Sequence, residues 1–331
     1  MTEVKRRRRA RGGGGDGAPV VPDATFSSYY GRPVLKAAPW EKDIPAYLFL
    51  GGLAAGSSLL AAGADVTNRP ALRRSGRLGA LGAITLSLAA LVHDLGKPSR
   101  FLNMLRVAKP TSPMSMGTWI LSLYGPAAGV AGAAELVALA PRWVDRLLPR
   151  WARWLLTFLS TPAGFSAAAI APAVASYTSV LLADTATPSW HEARRELPFV
   201  FVGSAAAASG GLGLLAAPLA EAGPARRLAV TGAVAELAVS SRMERSMGLA
   251  AEPLHQGTAG TLIQASRALT ATGALGALAG SRSRVVSAIS GAALLAGSAC
   301  TRFGIFEAGQ ASARDPKYTV VPQRNRIDAA Q

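Results

Sequence analysis

Long apolar blocks separated by short charged stretches dominate the chain. Eight such blocks run at roughly 44–64, 78–96, 115–139, 154–183, 197–219, 226–247, 262–280 and 284–304. Each is close to the ~20 residues that an α-helix needs to cross a hydrocarbon layer. The fourth block is the longest and contains Pro162 and Pro172, which predicts a helix that tilts, kinks or begins outside the bilayer. The sixth and seventh are the weakest, because Glu236, Arg242 and Arg267 interrupt them. The pattern predicts an all-α integral membrane protein of eight transmembrane helices, multi-pass in the cell membrane.

With eight spans both termini lie on one side, here side A. The loops 97–114, 184–196 and 248–261 share that side, and side B carries the shorter loops 65–77, 140–153, 220–225 and 281–283. The side-B loops and their margins are basic, with Arg69, Arg73, Arg74 and Arg77, then Arg142, Arg146, Arg150 and Arg153, then Arg226, Arg227, Arg282 and Arg284. Short basic loops favour the cytoplasm. The Arg-rich N-terminal tail and the basic side-A loops point the other way, so orientation stays open. An internal echo relates "YLFLGGLAAGS" (47–57) to "FVFVGSAAAAS" (199–209), each closely preceded by a proline. Their offset of four spans makes a parallel repeat of two four-helix bundles the natural reading. The chain then divides into a basic tail (1–38), a first bundle (39–196), a second bundle (197–304) and a C-terminal extramembrane tail (305–331).

Composition agrees with this reading. Of the 331 residues, 50% are hydrophobic and 16% charged, against about 25% charged in ordinary soluble proteins. The tail "KRRRRARGGGG" is low-complexity and lacks the apolar segment of a twin-arginine signal, so it is expected to be disordered against anionic lipid. The net charge of +16 lies mostly between apolar blocks, where it sets topology and meets lipid headgroups rather than nucleic acid. One cysteine, Cys300, cannot build a disulfide framework or a metal cluster. The three histidines, His93, His191 and His255, all fall at span ends or in loops on side A. A haem held between two imidazoles across the membrane is not expected, nor is any metal. "GGLGLL" in the fifth span is a helix-packing signal, because no strand precedes it and no lysine follows.

Ionisable groups at membrane depth are costly and usually face the protein interior. The candidates are His93, Asp94, Glu135, Asp184, Glu236, Arg242, Glu244, Arg267 and Arg302. Asp94 and Asp184 also read as solvated helix ends, and Arg242 and Arg302 as snorkelling side chains. Glu135 lies near the side-B exit of its span. Glu236 sits mid-span, with Arg267 as a candidate partner. Arg242 with Glu244, and Arg302 with Glu307, read as pairs at side-A span ends.

Four segments in order, "YLFLGGLAAGS", "HDLGKPSRFLNMLRVAKPTSPMSMGTWILS", "YTSVLLADTATPSWHEARRELPFVFVGSA" and "RFGIFEAGQASARDPKYTVVPQR", resemble the NrfD/polysulfide-reductase membrane-subunit family over nearly all of 39–327. The resemblance implies a haem-free subunit with eight spans in two four-helix bundles. It implies an iron–sulfur (ferredoxin-like) partner, a molybdopterin-type catalytic subunit carrying the catalytic metal site, and electron exchange with a membrane quinone, menaquinone or ubiquinone. It also puts the quinone site in the first bundle, at the face where the iron–sulfur subunit docks. Tyr177 can donate to a quinone carbonyl, and His93 and Asp94 can pass protons. Arg100 and Asn103 can fix the loop beside them. Glu135 and Glu236 complete the acid–base candidates. The family often has glycine where this chain has Ser179, which bears on helix packing beside Tyr177. "WHEARRELP" (190–198) and 307–324 suit docking of the iron–sulfur subunit. Two other readings stand beside this one. Tyr177 can be an interface-anchoring aromatic and His93-Asp94 a helix-end pair. The whole chain can instead be a transporter or ion-translocating protein, with Glu236 and Arg267 on its pathway.

Overall fold

The computed structural model describes residues 33–141 and 149–330. The basic run 5–9, Arg142 and Arg146 lie outside them. Among the described residues there is no strand, and the chain is helical almost throughout. The long helices are α1 Asp43–Val66, α2 Pro70–Asp94, α3 Pro113–Leu139, α4 Arg150–Ala183, α5 Leu197–Ala216, α6 Gly223–Met247, α7 Gly257–Ala279 and α8 Arg284–Arg314, with α9 Lys317–Ala330 following. Short 3₁₀ segments, Pro98–Arg106 and Gly248–His255, and a helical turn, Pro188–Glu192, occupy the side-A loops. Proline opens α2, α3 and α5 at the first or second position, where its missing N–H costs no helical hydrogen bond.

Six of these helices, α1 to α5 and α8, are long and apolar enough to cross a membrane. The other two, α6 and α7, carry the interrupting charges already visible in the sequence. Several boundaries move. α2 begins at Pro70 rather than 78, so Arg73, Arg74 and Arg77 of the expected loop 65–77 lie on the helix, and α7 begins at Gly257 rather than 262. α4 begins at Arg150 rather than 154 and runs for 34 residues, about 51 Å, so it outreaches a ~30 Å hydrocarbon core. Its first turns expose Trp151, Trp154 and Phe158, with the last two rings stacked at 5.4 Å, an arrangement suited to a headgroup layer. α8 continues past 304 to Arg314, because nothing in "IFEAGQASAR" breaks a helix before Asp315-Pro316.

Packing follows chain order. α1 lies against α2 and α4, and α3 bridges α2 and α4, so α2 and α4 are diagonal. α5 pairs with α6 and α8, and α7 with α8 and α6. The helices carrying the sequence echo meet: a Cβ on Gly52 of α1 would lie 3.2 Å from that of Ala205 on α5, and one on Gly56 would collide with Ser209. Close approach also governs α5 and α6, where a Cβ on Gly203 would come within 2.8 Å of the Glu236 backbone nitrogen. Small residues let backbones meet where lipid offers no hydrophobic drive.

The side-B arginines do more than set topology. Arg284 donates to the Leu214 and Leu215 carbonyls at the end of α5, groups a helix terminus leaves unpaired. In return, Glu221 from the α5–α6 turn accepts from the Ala71 and Leu72 N–H groups at 2.8 and 3.0 Å. It thereby caps α2 from the other half of the molecule.

Candidate functional site

Two regions hold the candidate residues, one in each half. In the first half, the Tyr177 ring fills the space over Gly117 of α3, where a Cβ would lie 2.3 Å from the ring. The Tyr177 hydroxyl is buried and has no hydrogen-bond partner. That is unusual, because buried polar groups are nearly always satisfied. Ser179 is fully buried and turns its hydroxyl onto the Ser176 carbonyl at 2.5 Å. It therefore fits within its own helix and leaves Tyr177 its place.

His93 ends α2 on side A with its side chain 82% exposed, and its Nδ1 lies 2.7 Å from Oδ2 of Asp43. Asp43 opens α1, so this pair ties two helix ends together. Asp43 is not among the candidates the sequence suggests, although an acid at the start of an apolar block is a helix N-terminal signal. Asp94, the next residue, ends the helix half-buried. The 3₁₀ segment after it packs on α2 and α3 and exposes Asn103. Arg100 belongs to the same segment, but its side chain lies outside the described ones. His93 and Tyr177 thus share side A on diagonal helices rather than touching.

Glu135 lies at the other end of the first half. It is buried and accepts from Arg73 at 3.0 Å and Arg77 at 3.2 Å, with Arg74 at 3.7 Å. Asp65 takes the remaining donors, Arg73 at 3.1 Å and Arg77 at 2.9 Å. Near this span exit Glu135 thus joins a five-residue ionic network across α1, α2 and α3. Helical spacing explains it: Arg73 and Arg77 are four apart and share a face. The acids come from other helices, which no sequence spacing indicates.

The second half buries Glu236, which is 2% exposed. Its Oε1 accepts from the Thr301 hydroxyl at 2.5 Å, and Oε2 has no partner. The expected partner Arg267 pairs instead with Glu244. Arg267, on α7, lines the same crevice as Glu236 but gives its charge to Glu244. The expected Arg242–Glu244 pair is likewise replaced, since Arg242 lies 3.8 Å from Glu196. Arg302 does not snorkel. It is 1% exposed, stacks its guanidinium 3.7 Å over the Phe201 ring and donates to the Phe201 carbonyl at 2.8 Å. The extension of α8 places it deep in the helix rather than at its end. Among the described residues, no group of three His, Cys, Asp or Glu side chains is arranged to hold a metal.

On side A, α9 is held through Lys317 to Glu252 at 2.6 Å and Arg326 to Glu192 at 3.1 Å. Together with 184–192 and 247–250, α9 borders an open cleft of about 660 Å³. The hydrogen bond and charge of Lys317 hold the Glu252 carboxyl below its ordinary value. A lowered carboxyl stabilises the attached state fully above the ordinary value of 4.5 and loses that contribution as pH falls below it. Hydrogen-exchange protection of 317–330, corrected for intrinsic rates, is therefore expected to fall in acid. Lys317→Met should already be weakly protected at neutral pH and show little further loss. Equal pH profiles for the two proteins would refute this attachment.

A family model described as "Polysulphide reductase, NrfD" matches residues 34–251, more than half of the chain, taking in α1 to α6. No curated protein matches the chain.

Proposed function

From the premise that this chain belongs to the NrfD polysulphide-reductase family, we propose that it is the haem-free membrane subunit of an oxidoreductase complex, exchanging electrons between an iron–sulfur partner and a membrane quinone. It is a multi-pass membrane protein, with six helices apolar enough to span. In this reading α6 and α7 also cross the cell membrane, and the eight helices form two four-helix bundles, α1–α4 and α5–α8. The packing of each set on itself supports that division, as does the sequestering of Glu236 inside the second set.

The observation that carries the quinone assignment is the buried, unpartnered Tyr177 hydroxyl beside Gly117 at the side-A end of α3 and α4. A quinone supplies carbonyl oxygens that take up electrons together with protons. Tyr177 would donate its hydroxyl to one carbonyl, satisfying a group that is otherwise orphaned. Met114, Met116 and Trp119 on α3 and Val180 on α4 are exposed at the same level and supply apolar walls for a ring and tail. His93, open to side A and steadied by Asp43, would exchange protons with solvent, and Asp94 would stand beside it. Asn103 would line the loop above, in the segment that also carries Arg100. Glu135 is engaged by arginines at side B and serves structure in this reading.

The iron–sulfur subunit would dock on side A, over 97–114, 184–196 and the start of α9, with the molybdopterin-type subunit beyond it. The test is co-purification of the chain with an iron–sulfur protein and quinol-coupled electron transfer by that complex. A chain that purifies alone and changes no quinone turnover would overturn the proposal in favour of the ion-translocating reading.

A further inference from the structure

The quinone reading leaves one feature of the second half unused. A narrow crevice of about 20 Å³ runs between α6, α7 and α8, lined in part by Glu236, Ser240, Glu244, Ser266, Arg267 and Thr301. That volume suffices for one water molecule, which needs roughly 10–15 Å³. Glu236 lies at the inner end with Oε2 unpartnered. Glu244 lies on the same face of α6, eight residues and about 12 Å nearer side A. There it is paired with Arg267, which is 39% exposed, and lies 3.7 Å from the half-exposed His255.

The hydroxyls beside Glu236 form a hydrogen-bonded line. Thr301 can donate to Glu236 Oε1 at 2.5 Å or to the Gly297 carbonyl at 3.1 Å, the carboxyl being the nearer, and Ser266 stands 2.5 Å from the Thr301 oxygen. Thr301 has a single hydrogen, so when it serves Glu236 the Ser266 hydroxyl must donate to Thr301. Ser266 itself lines the crevice. A proton arriving at the crevice thus meets an ordered line of oxygens ending on a carboxyl.

We propose that Glu236 is a proton-exchange site opened to side A through this crevice, with the Glu244–Arg267 pair at its mouth. The groups facing Glu236 from the packed helices are Thr301 and Arg302 on α8, Ser204 on α5 and Ser266 on α7, with Glu244 and Arg267 outward. Arg302 decides against a metal cation. Its guanidinium is buried beside the carboxyl with Nε and Nη1 unpartnered, so a bound cation would place like charge against it, whereas a proton leaves a neutral acid. Arg302 also reaches α1, since a Cβ on Gly52 would lie 3.4 Å from its Nη2. The charge on Glu236 is therefore felt at the seam between the two halves.

The test is infrared spectroscopy of the full-length chain in lipid nanodiscs, and it needs no quinone turnover. pH-difference spectra should contain a carboxylic-acid C=O band that Glu236→Gln removes and Thr301→Val shifts. Ser240→Leu, which plugs the crevice, should slow deuterium exchange of that band roughly tenfold or more, because exchange then needs local opening of the helices. Thr231→Leu, toward side B on the same helix, should leave the rate unchanged. If Glu236→Gln does not fold, the Thr301→Val shift identifies the band. The proposal is overturned by absence of such a band, by exchange that Ser240→Leu leaves unaltered, or by a band that responds to sodium at fixed pH. Loss of quinone activity with this band intact would count against the quinone reading alone.

Discussion

Tyr177→Phe is expected to lower quinol-coupled electron transfer roughly a hundredfold while leaving the chain folded, because it removes one positioned donor from a water-poor site. The ring stays and still fills the space over Gly117, so packing is preserved. Stability should not fall, since the hydroxyl has no partner to lose. A structural, interface-anchoring tyrosine predicts the opposite: unchanged turnover. His93→Ala makes the companion test. Its side chain is 82% exposed, so its loss should slow proton delivery by about tenfold and added imidazole should restore much of the rate. If both variants turn over quinone as the parent does, the site assignment is wrong.

Arg77→Met is expected to destabilise the folded protein by about 3–5 kcal/mol, the usual result of breaking a buried ion pair from one side. The Arg77 and Glu135 side chains are 6% and 5% exposed, and a bond of 3.2 Å joins them. Removing Arg77 leaves Glu135 to Arg73 and Arg74, of which only Arg73 is within 3.5 Å. Replacing both Arg77 and Glu135 by methionine should recover most of the loss, because apolar side chains of similar volume need no partner and Arg73 still satisfies Asp65. Denaturant midpoints in detergent for the parent, both single variants and the double variant measure the coupling. Additive single losses would show that the network contributes nothing as a unit. The prediction also separates Glu135 from the redox chemistry, since the double variant should keep quinone turnover.

Much of the candidate site was legible one residue at a time. His93-Asp94 at a helix end, Tyr177 near side A and Glu236 mid-span all stand where the hydropathy pattern puts them. Their partners were not legible. Glu236 was matched to Arg267 because both interrupt weak spans, yet Thr301, a residue unremarkable in sequence, holds it. Arg302 looked like a snorkelling end because the apolar run fades there. The helix instead continues for three more turns, and the guanidinium finds an aromatic face and a carbonyl in the interior. Glu221 sits in a turn that reads as a plain loop, and only the approach of the two halves brings it to the start of α2.

What the sequence by itself determined is therefore the set of long helices, many of their ends and the level of most ionisable groups, Arg302 on the extended α8 excepted. Those follow from local rules: apolar run length, proline and charge at boundaries, and a rise fixed per residue. Only the tertiary structure decided which helix faces which, and so which charges are neutralised, which hydroxyls join into a line and which polar atoms are left waiting. The reason is geometric. Position along a helix is a property of one segment, whereas rotation about its axis is fixed by neighbours that are distant in the chain, and buried polar groups are satisfied only after that rotation is set.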